Sequence, residues 1–386
     1  MKSWFGGFTL FLYNSCLAAF LSYGVFFSRV ASEYDLPASS TALVFGVFAI
    51  LFSISSLLLG LFMNRQGPGK TILLGGCLMG AGFVLSALAN SYPLLVVTYG
   101  VVGGLGAGSM WMPTSYVVFD TFDQASVKKV TGLVSAGTAA GLLFYSPLEA
   151  YVIAVWGLQA AFLAVGLVIL LFTALAYRTS RGSKVSSKFD LREALGSLKT
   201  KRFGFLYAYY AGGNAFSRTL VTIFLPPLIE SKGLGVEVGA LALALIGVGS
   251  MTGRLAAGIK RVSEETVAAV GFVLQGASAV ALYFAGDPVT IGVLSVLFGI
   301  GYGSYIPAFA LMMRKYYGLK LYGTIFGTLL TSFGVGAFVG PVFEGTQVSS
   351  AAGYLPGFVL SAVVSVVVGA HLLAMGRRWN RGLNAN

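Results

Sequence analysis

An all-α membrane protein with twelve transmembrane helices, grouped as two pseudo-symmetric six-helix bundles, is the fold class this sequence predicts. Three observations carry that expectation. Apolar residues make up 56% of the 386 residues and charged residues only 10%, too little charge to cover a soluble surface. Apolar runs of about 18 or more residues recur along the chain, each long enough to cross a hydrocarbon core of ~30 Å as a helix. One long polar stretch then divides the chain into halves that resemble each other. The 52 glycines suit such a fold, because small residues let membrane helices approach closely.

The first run, from Phe5 to about Ser28, is too long for a signal core and lacks a small-residue cleavage site, so it is read as the first span. Charges and turn residues then delimit spans near 5–29, 40–63, 71–90, 93–118, 130–153 and 156–178. The second half supplies 203–229, 236–258, 265–285, 288–313, 321–344 and 350–376. Twelve spans place both termini on one side. That side holds Lys2, Arg65, Lys70, Lys128, Lys129, Lys260, Arg261, Arg314, Lys315, Lys320, Arg377, Arg378 and Arg381, with eight more basic residues from Arg178 to Arg202. The opposite side holds only Arg29 and Lys232, beside Glu33, Asp35, Glu149, Glu230, Glu237, Asp287 and Glu344. Positive charge stays in the cytoplasm during insertion, so the expectation is a multi-pass protein of the cell membrane with both termini cytoplasmic. The net charge of +12 is then topology, with some attraction to anionic lipid headgroups, and calls for no nucleic acid.

The polar segment "RTSRGSKVSSKFDLREALGSLKTKR", residues 178–202, sets the expected domains: a six-helix bundle over 1–178, a basic cytoplasmic linker over 179–202, and a second bundle over 203–386. The fourth span carries "GLGAGSMWMP" from Gly104 and the tenth "GIGYGSYIP" from Gly299. The fifth span ends near "SPLE" and the eleventh near "GPVFE". Parallel repeats of this kind enclose a central site on an axis along the membrane normal.

Chemistry of other classes finds no support. Cys16 and Cys77 lie inside apolar runs and form neither a disulfide framework nor a metal spacing. "NRQGPGKT" at 64–71 lacks the first glycine of a phosphate-binding loop and follows no strand. With a single histidine, His371, and no hydrolase motif, no enzyme, cofactor or metal is expected, and His371 near the end of the last span is assigned to packing.

Two arginines demand explanation. Arg218 lies about 15 residues into its span, roughly 22 Å from the cytoplasmic end at ~1.5 Å per residue. An arginine near mid-membrane costs about 2.5–3.5 kcal/mol on insertion scales. It is either satisfied by helix-end carbonyls or a glutamate such as Glu149, Glu230 or Glu344, or it serves a ligand. Arg254 is about four residues from the cytoplasmic break, where snorkelling to the interface competes with a binding role. No Asp or Glu falls near the centre of any span. Two guanidinium groups in a wet, low-dielectric cavity select an anion, and their planar fork fits a carboxylate.

Over essentially its whole length the chain resembles the major facilitator superfamily. "GLFMNRQGPGK" at 60–70 is similar to that superfamily's loop signature G-x-x-x-D-R-x-G-x-[RK]-[RK], carried here by Gly60, Asn64, Arg65, Gly67 and Lys70. Asn64 replaces the usual aspartate of a conformational latch, and the second half keeps only "GIKR" from Gly258. A narrower resemblance, to the monocarboxylate transporters and the oxalate:formate antiporter, rests on "YGVFFSRVASEYDLPASS" at 23–40, "TYGVVGGLGAG" at 98–108, "FLPPLIESKGLG" at 224–235 and "GRLAAG" at 253–258. It implies that Arg254 binds a substrate carboxylate. Ser250 stands where the monocarboxylate transporters carry an acid, Leu21 where some carry a lysine, and span 321–344 has no basic residue. By analogy with the cavity-facing helices of that superfamily, Asn14, Trp111, Asn214, Tyr302 and Tyr305, with Tyr145 from the fifth span, join Arg218 and Arg254 as candidate binding residues. The implied function is secondary active transport of a small organic anion, a mono- or dicarboxylate, by alternating access with anion exchange or proton coupling. A monomer is expected, with protons or a counter-anion as co-substrate. The alternative is export of neutral or acidic metabolites or drugs. Bringing a monoanion into a negative-inside cell costs ~2.3 kcal/mol per 100 mV, so uptake needs such a co-substrate.

Overall fold

The computed structural model is all helical and describes residues 4–122, 124–183, 196–256, 262–317, 322–348 and 353–383. The side chains of Asn64 and Arg65, the linker residues 184–195 and the loop copy at 258–261 lie outside the described residues. Ten helices among the described residues are long and apolar enough to cross a membrane. The longest, Gln124–Ser180, departs from helical geometry at Gly157, where φ is +85°. A left-handed φ of this kind is open to glycine without steric cost. Both ends of this element return to the start of the chain. A Cβ on Gly6 would meet Thr179 and one on Gly7 would meet Val130, so the element makes two crossings. The helical segments Lys201–Tyr209, Tyr210–Arg218 and Thr219–Ser231 supply another. Twelve crossings result among the described residues, with the first and last of those residues at one end of the bundle. We call the opposite end the outer end.

The first, fourth and seventh spans are interrupted. The first is Trp4–Ser15, Ala18–Leu21 and Tyr23–Glu33. At its breaks the Ser15 hydroxyl donates to the Leu12 carbonyl at 2.6 Å and Ser22 to Ala19 at 3.3 Å, side-chain bonds that compete with the helical ladder. The fourth runs through Tyr92–Leu95, the π-helical Val96–Gly103 and Gly104–Ala107, breaks, and resumes as Met112–Thr121. Pro113 sits in the first turn of that last piece, where its missing N–H costs nothing. The sequence-level match between Gly104 and Gly299 therefore covers a difference, because the tenth span, Pro288–Tyr317, has no such break. In the seventh span, Tyr210–Arg218 is π-helical, a widened turn of the sort found at functional sites.

Glycine seams bind the remaining spans: Ala38–Gln66 and Pro68–Ser86 as the second and third, Val236–Ala256 and Glu264–Phe284 as the eighth and ninth, Tyr322–Val348 and Leu355–Leu383 as the last two. Between the eighth and tenth spans a Cβ on Gly303 would lie 2.1 Å from the Ser250 carbonyl oxygen, so backbone rests on backbone there. Across the two halves, the second span packs on the eleventh and the fifth on the eighth. Among the described residues the first and seventh spans meet mainly through their outer parts, Tyr23–Glu33 against Thr219–Ser231, with a smaller contact from Ala18–Leu21. There Phe27 and Phe224 pack edge to face at 5.0 Å, and a Cβ on Gly24 would come 2.6 Å from the Thr222 carbonyl oxygen. No comparable packing joins Trp4–Ser15 to Lys201–Tyr209 among the described residues. The halves are thus sealed at the outer end.

Candidate functional site

Behind that seal lies a cavity between the halves, lined by Leu17, Phe20 and Leu21 of the first span, Phe52, Trp111, Thr138, Tyr210, Asn214, Arg218, Arg254, Tyr302, Ile306, Leu330 and Phe333. The space left inside is about 30 Å³, room for roughly two waters. Its polar groups come from few side chains, and its walls are apolar and aromatic.

Arg218 ends the π-helical segment and is 3% exposed. Its Nε donates to Asn214 Oδ1 at 3.0 Å. Its guanidinium carbon stands 4.8 Å from the Tyr302 ring centroid and 5.2 Å from that of Phe333. Nη1 is buried without a hydrogen-bond partner. Among the described residues ion pairs form only at Lys315, with Glu264 and Glu265, so neither Glu149, Glu230 nor Glu344 neutralises Arg218. A desolvated guanidinium with a free donor is a costly arrangement.

Arg254 does not snorkel. At 8% exposed, it reaches across the interface, where Nη1 donates to the Ser135 carbonyl of the fifth span. Nε faces Ser250 Oγ at 3.4 Å and Nη2 the Tyr302 hydroxyl at 3.4 Å. Both arginines therefore lie against one ring, Tyr302, with the Arg254 guanidinium carbon 5.8 Å from its centroid. With Ser250 beside Arg254, the pair has no carboxylate partner among the described residues.

A buried network fixes this geometry. Tyr305 donates its hydroxyl hydrogen to Gln275 Oε1 at 2.7 Å, with Asn214 Oδ1 as a weaker shared acceptor at 3.3 Å. Gln275 Nε2 donates to the Gly213 carbonyl inside the π-helical turn at 2.9 Å and to Ser365 at 3.0 Å. Phe272 stacks on Tyr305 at 4.2 Å. Tyr305 thus stands behind the cavity and orients Asn214, which orients Arg218. Gln275 escaped the sequence analysis, although a lone amide within the apolar ninth span was a usable signal.

The other expected residues fall at varying distances from the cavity. Trp111, Asn214 and Tyr302 line it, and Trp111 meets Phe326 of the other half edge-on at 6.1 Å. Asn14 is buried beneath it, donating to Thr114 Oγ1 at 2.8 Å while its carbonyl accepts from Thr138 at 3.2 Å. Tyr145 is buried with its hydroxyl directed at Cys16 Sγ, 3.7 Å away, and does not line the cavity. In the loop motif, a Cβ on Gly60 would meet Met112, Gly67 has φ +85°, and Lys70 donates to Gln66 at 3.0 Å. His371 accepts or donates through Nδ1 with the Tyr209 hydroxyl at 2.6 Å, away from the cavity.

The sequence model of the Major Facilitator Superfamily matches residues 3–341. The chain belongs to the major facilitator superfamily. Its members are secondary transporters rather than enzymes, and this transporter is a multi-pass membrane protein. It is 22% identical over 335 residues to the uncharacterised MFS-type transporter YhjX of Escherichia coli strain K12, covering 83% of this chain and 82% of that protein. Monocarboxylate transporter 4 of Gallus gallus is 23% identical over 369 residues, with 91% and 77% covered. Monocarboxylate transporter 2 of Mesocricetus auratus is 24% identical over 400 residues, with 92% and 82% covered.

Proposed function

We propose that the transporter moves a small organic anion, a mono- or dicarboxylate, across the cell membrane by alternating access. The observation that carries this is the pair of buried arginines on Tyr302, one with a free Nη1, with no carboxylate in reach among the described residues. An anionic ligand supplies the missing charge, and a guanidinium offers it short, charge-assisted bonds. Arg254 and Arg218 hold the carboxylate, Asn214 and Tyr302 add polar contacts, and Trp111 with the phenylalanines encloses the carbon skeleton. Asn14, Tyr145 and Tyr305 position this lining from behind. Two of the relatives given above are named as monocarboxylate transporters, which supports the same substrate class.

The moving bodies are the bundles 1–178 and 203–386, joined by the linker 179–202, in a monomer. The loop signature of Gly60, Asn64, Arg65, Gly67 and Lys70 acts at the termini end, which the lysine and arginine bias places in the cytoplasm. The form described here, sealed at the outer end, is then closed toward the outside. Export of neutral or acidic compounds is the second reading, favoured by the apolar share of the walls.

Counterflow of labelled lactate, pyruvate, formate or oxalate in proteoliposomes tests the assignment. Flux lost in both Arg254→Ala and Arg218→Ala supports it; flux unchanged in both rejects this site.

A further inference from the structure

The sequence places Glu149 near the end of a span, yet its side chain is 1% exposed, and both carboxyl oxygens are buried without a hydrogen-bond partner. It lies eight residues before the turn at Gly157, so about 12 Å below the outer end of the fifth span at ~1.5 Å per residue. Among the described residues no lysine or arginine pairs with it. The Ser22 side chain lies beside it, with its hydroxyl committed to the Ala19 carbonyl. Tyr99 of the fourth span and Tyr145 on its own helix are ionisable groups close enough to feel its charge. The first span adds Tyr23, bonded to the Thr41 carbonyl at 3.0 Å, and Cys16, which faces Tyr145. The eighth span, packed on the same helix, has no ionisable residue between Val238 and Gly253. An ionised carboxylate here would be an uncompensated buried charge.

The location gives this a consequence. Ser22 is the outer break of the first span, between Ala18–Leu21 and Tyr23–Glu33. Two residues further, Gly24 presses on the Thr222 and Ile223 carbonyls of the seventh span to make the outer seal. We propose that Glu149 is a proton-binding site whose occupancy controls that seal. With a proton on a carboxyl oxygen, the neutral acid lets the segment from Ser22 to Glu33 pack down and close against the seventh span. When the proton returns to water, the carboxylate needs hydration, the packing at Ser22 loosens, and the outer seam opens. Acid thus favours the sealed form and alkali the open one. This stands apart from the anion reading, since it requires no substrate.

The test uses the full-length transporter in lipid nanodiscs with spin labels at Ser32→Cys and Ser231→Cys, the exposed outer ends of the first and seventh spans, and Cys16 and Cys77 replaced by Ala. Pulsed electron resonance reads the distance distribution from about pH 5 to about pH 9. The sealed-to-open ratio should fall with pH by up to about tenfold per unit, the limit for one proton. Glu149→Gln, a neutral isostere, should hold the short distance at every pH. Glu344→Gln should follow the parent, although Glu344 is also buried with unpartnered oxygens, because it packs on Gly357 of the twelfth span and not beside Ser22. A parent distance that ignores pH overturns the proposal, as does an undiminished pH response in Glu149→Gln or its loss in Glu344→Gln alone. Should Glu149→Gln fail to assemble, Glu149→Asp replaces it, and a pH response identical to the parent's then overturns the proposal.

Discussion

Replacing Arg218 by methionine separates a ligand-binding arginine from a structural one. The change keeps much of the side-chain bulk and removes the charge. It deletes the Nε bond to Asn214 and the contacts with Tyr302 and Phe333. The bond contributes about 1.5–3 kcal/mol as a charge-assisted hydrogen bond, and each ring contact about 0.5–2 kcal/mol. Against this stands the desolvation of a 3%-exposed cation, several kcal/mol for a buried ion. The terms nearly cancel, so the apparent Tm in detergent should move by a few degrees at most, in either direction. An arginine paired to a buried carboxylate would instead lose about 3–5 kcal/mol. Ligand binding should respond very differently. Removing one partner of a desolvated charge pair costs about 2–5 kcal/mol, a weakening of about 30-fold to several thousand-fold at ~1.4 kcal/mol per decade. Thermal-shift titration with carboxylates and counterflow KM read the two effects on one preparation. Wild-type KM in Arg218→Met, or a stability loss on the scale of a broken ion pair, would refute the reasoning.

Gly24→Val puts a branched side chain where even a Cβ falls 2.6 Å from a backbone carbonyl; the outer seam should stay open, lengthening the spin-label distance between Ser32→Cys and Ser231→Cys and abolishing exchange, while elution on gel filtration is unchanged. Gln275→Leu removes the amide donor to the Gly213 carbonyl and leaves the Tyr305 hydroxyl only its longer contact with Asn214, and at about 1–3 kcal/mol for an unsatisfied buried group the anion KM should rise about tenfold without Arg218 or Arg254 being touched. Asp287, outside the spans, caps the tenth helix by accepting from the Val289 and Thr290 amides at 3.0 and 2.9 Å. The Thr290 hydroxyl first, and then these amide bonds, hold its carboxyl below the ordinary value of 3.8. The stabilisation is therefore present above pH 3.8 and lost as pH falls through the depressed value, so Asp287→Ala should flatten that acid limb of the Tm profile.

How far the site was legible varies from residue to residue. Arg218 was conspicuous because a charge within an apolar run violates the local pattern. Arg254 was ambiguous from sequence, since four residues from a break allows either snorkelling or binding, and only the Ser135 carbonyl across the interface decides between them. Asn14, Tyr145 and Tyr305 are polar and buried, yet they bond to Thr114, Cys16 and Gln275 behind the cavity. Glu149 looked like a loop-side acid because its position along the chain is near a turn, whereas its burial depends on the first and fourth spans closing over it.

By itself the sequence determined the class of solvent, the number of crossings, the sidedness bias and the presence of two arginines without an acid at mid-span. Each of these follows from hydropathy and charge counted along one stretch of chain, with no neighbour required. The tertiary structure alone decided that Arg218 and Arg254 share Tyr302, that the first span breaks at Ser22 beside a bare carboxyl, and that the outer end is the closed one. Helices that are apolar all round carry no stripe to tell the lipid side from the protein side. Which faces meet is settled by glycine contacts and helix breaks between spans far apart in the chain.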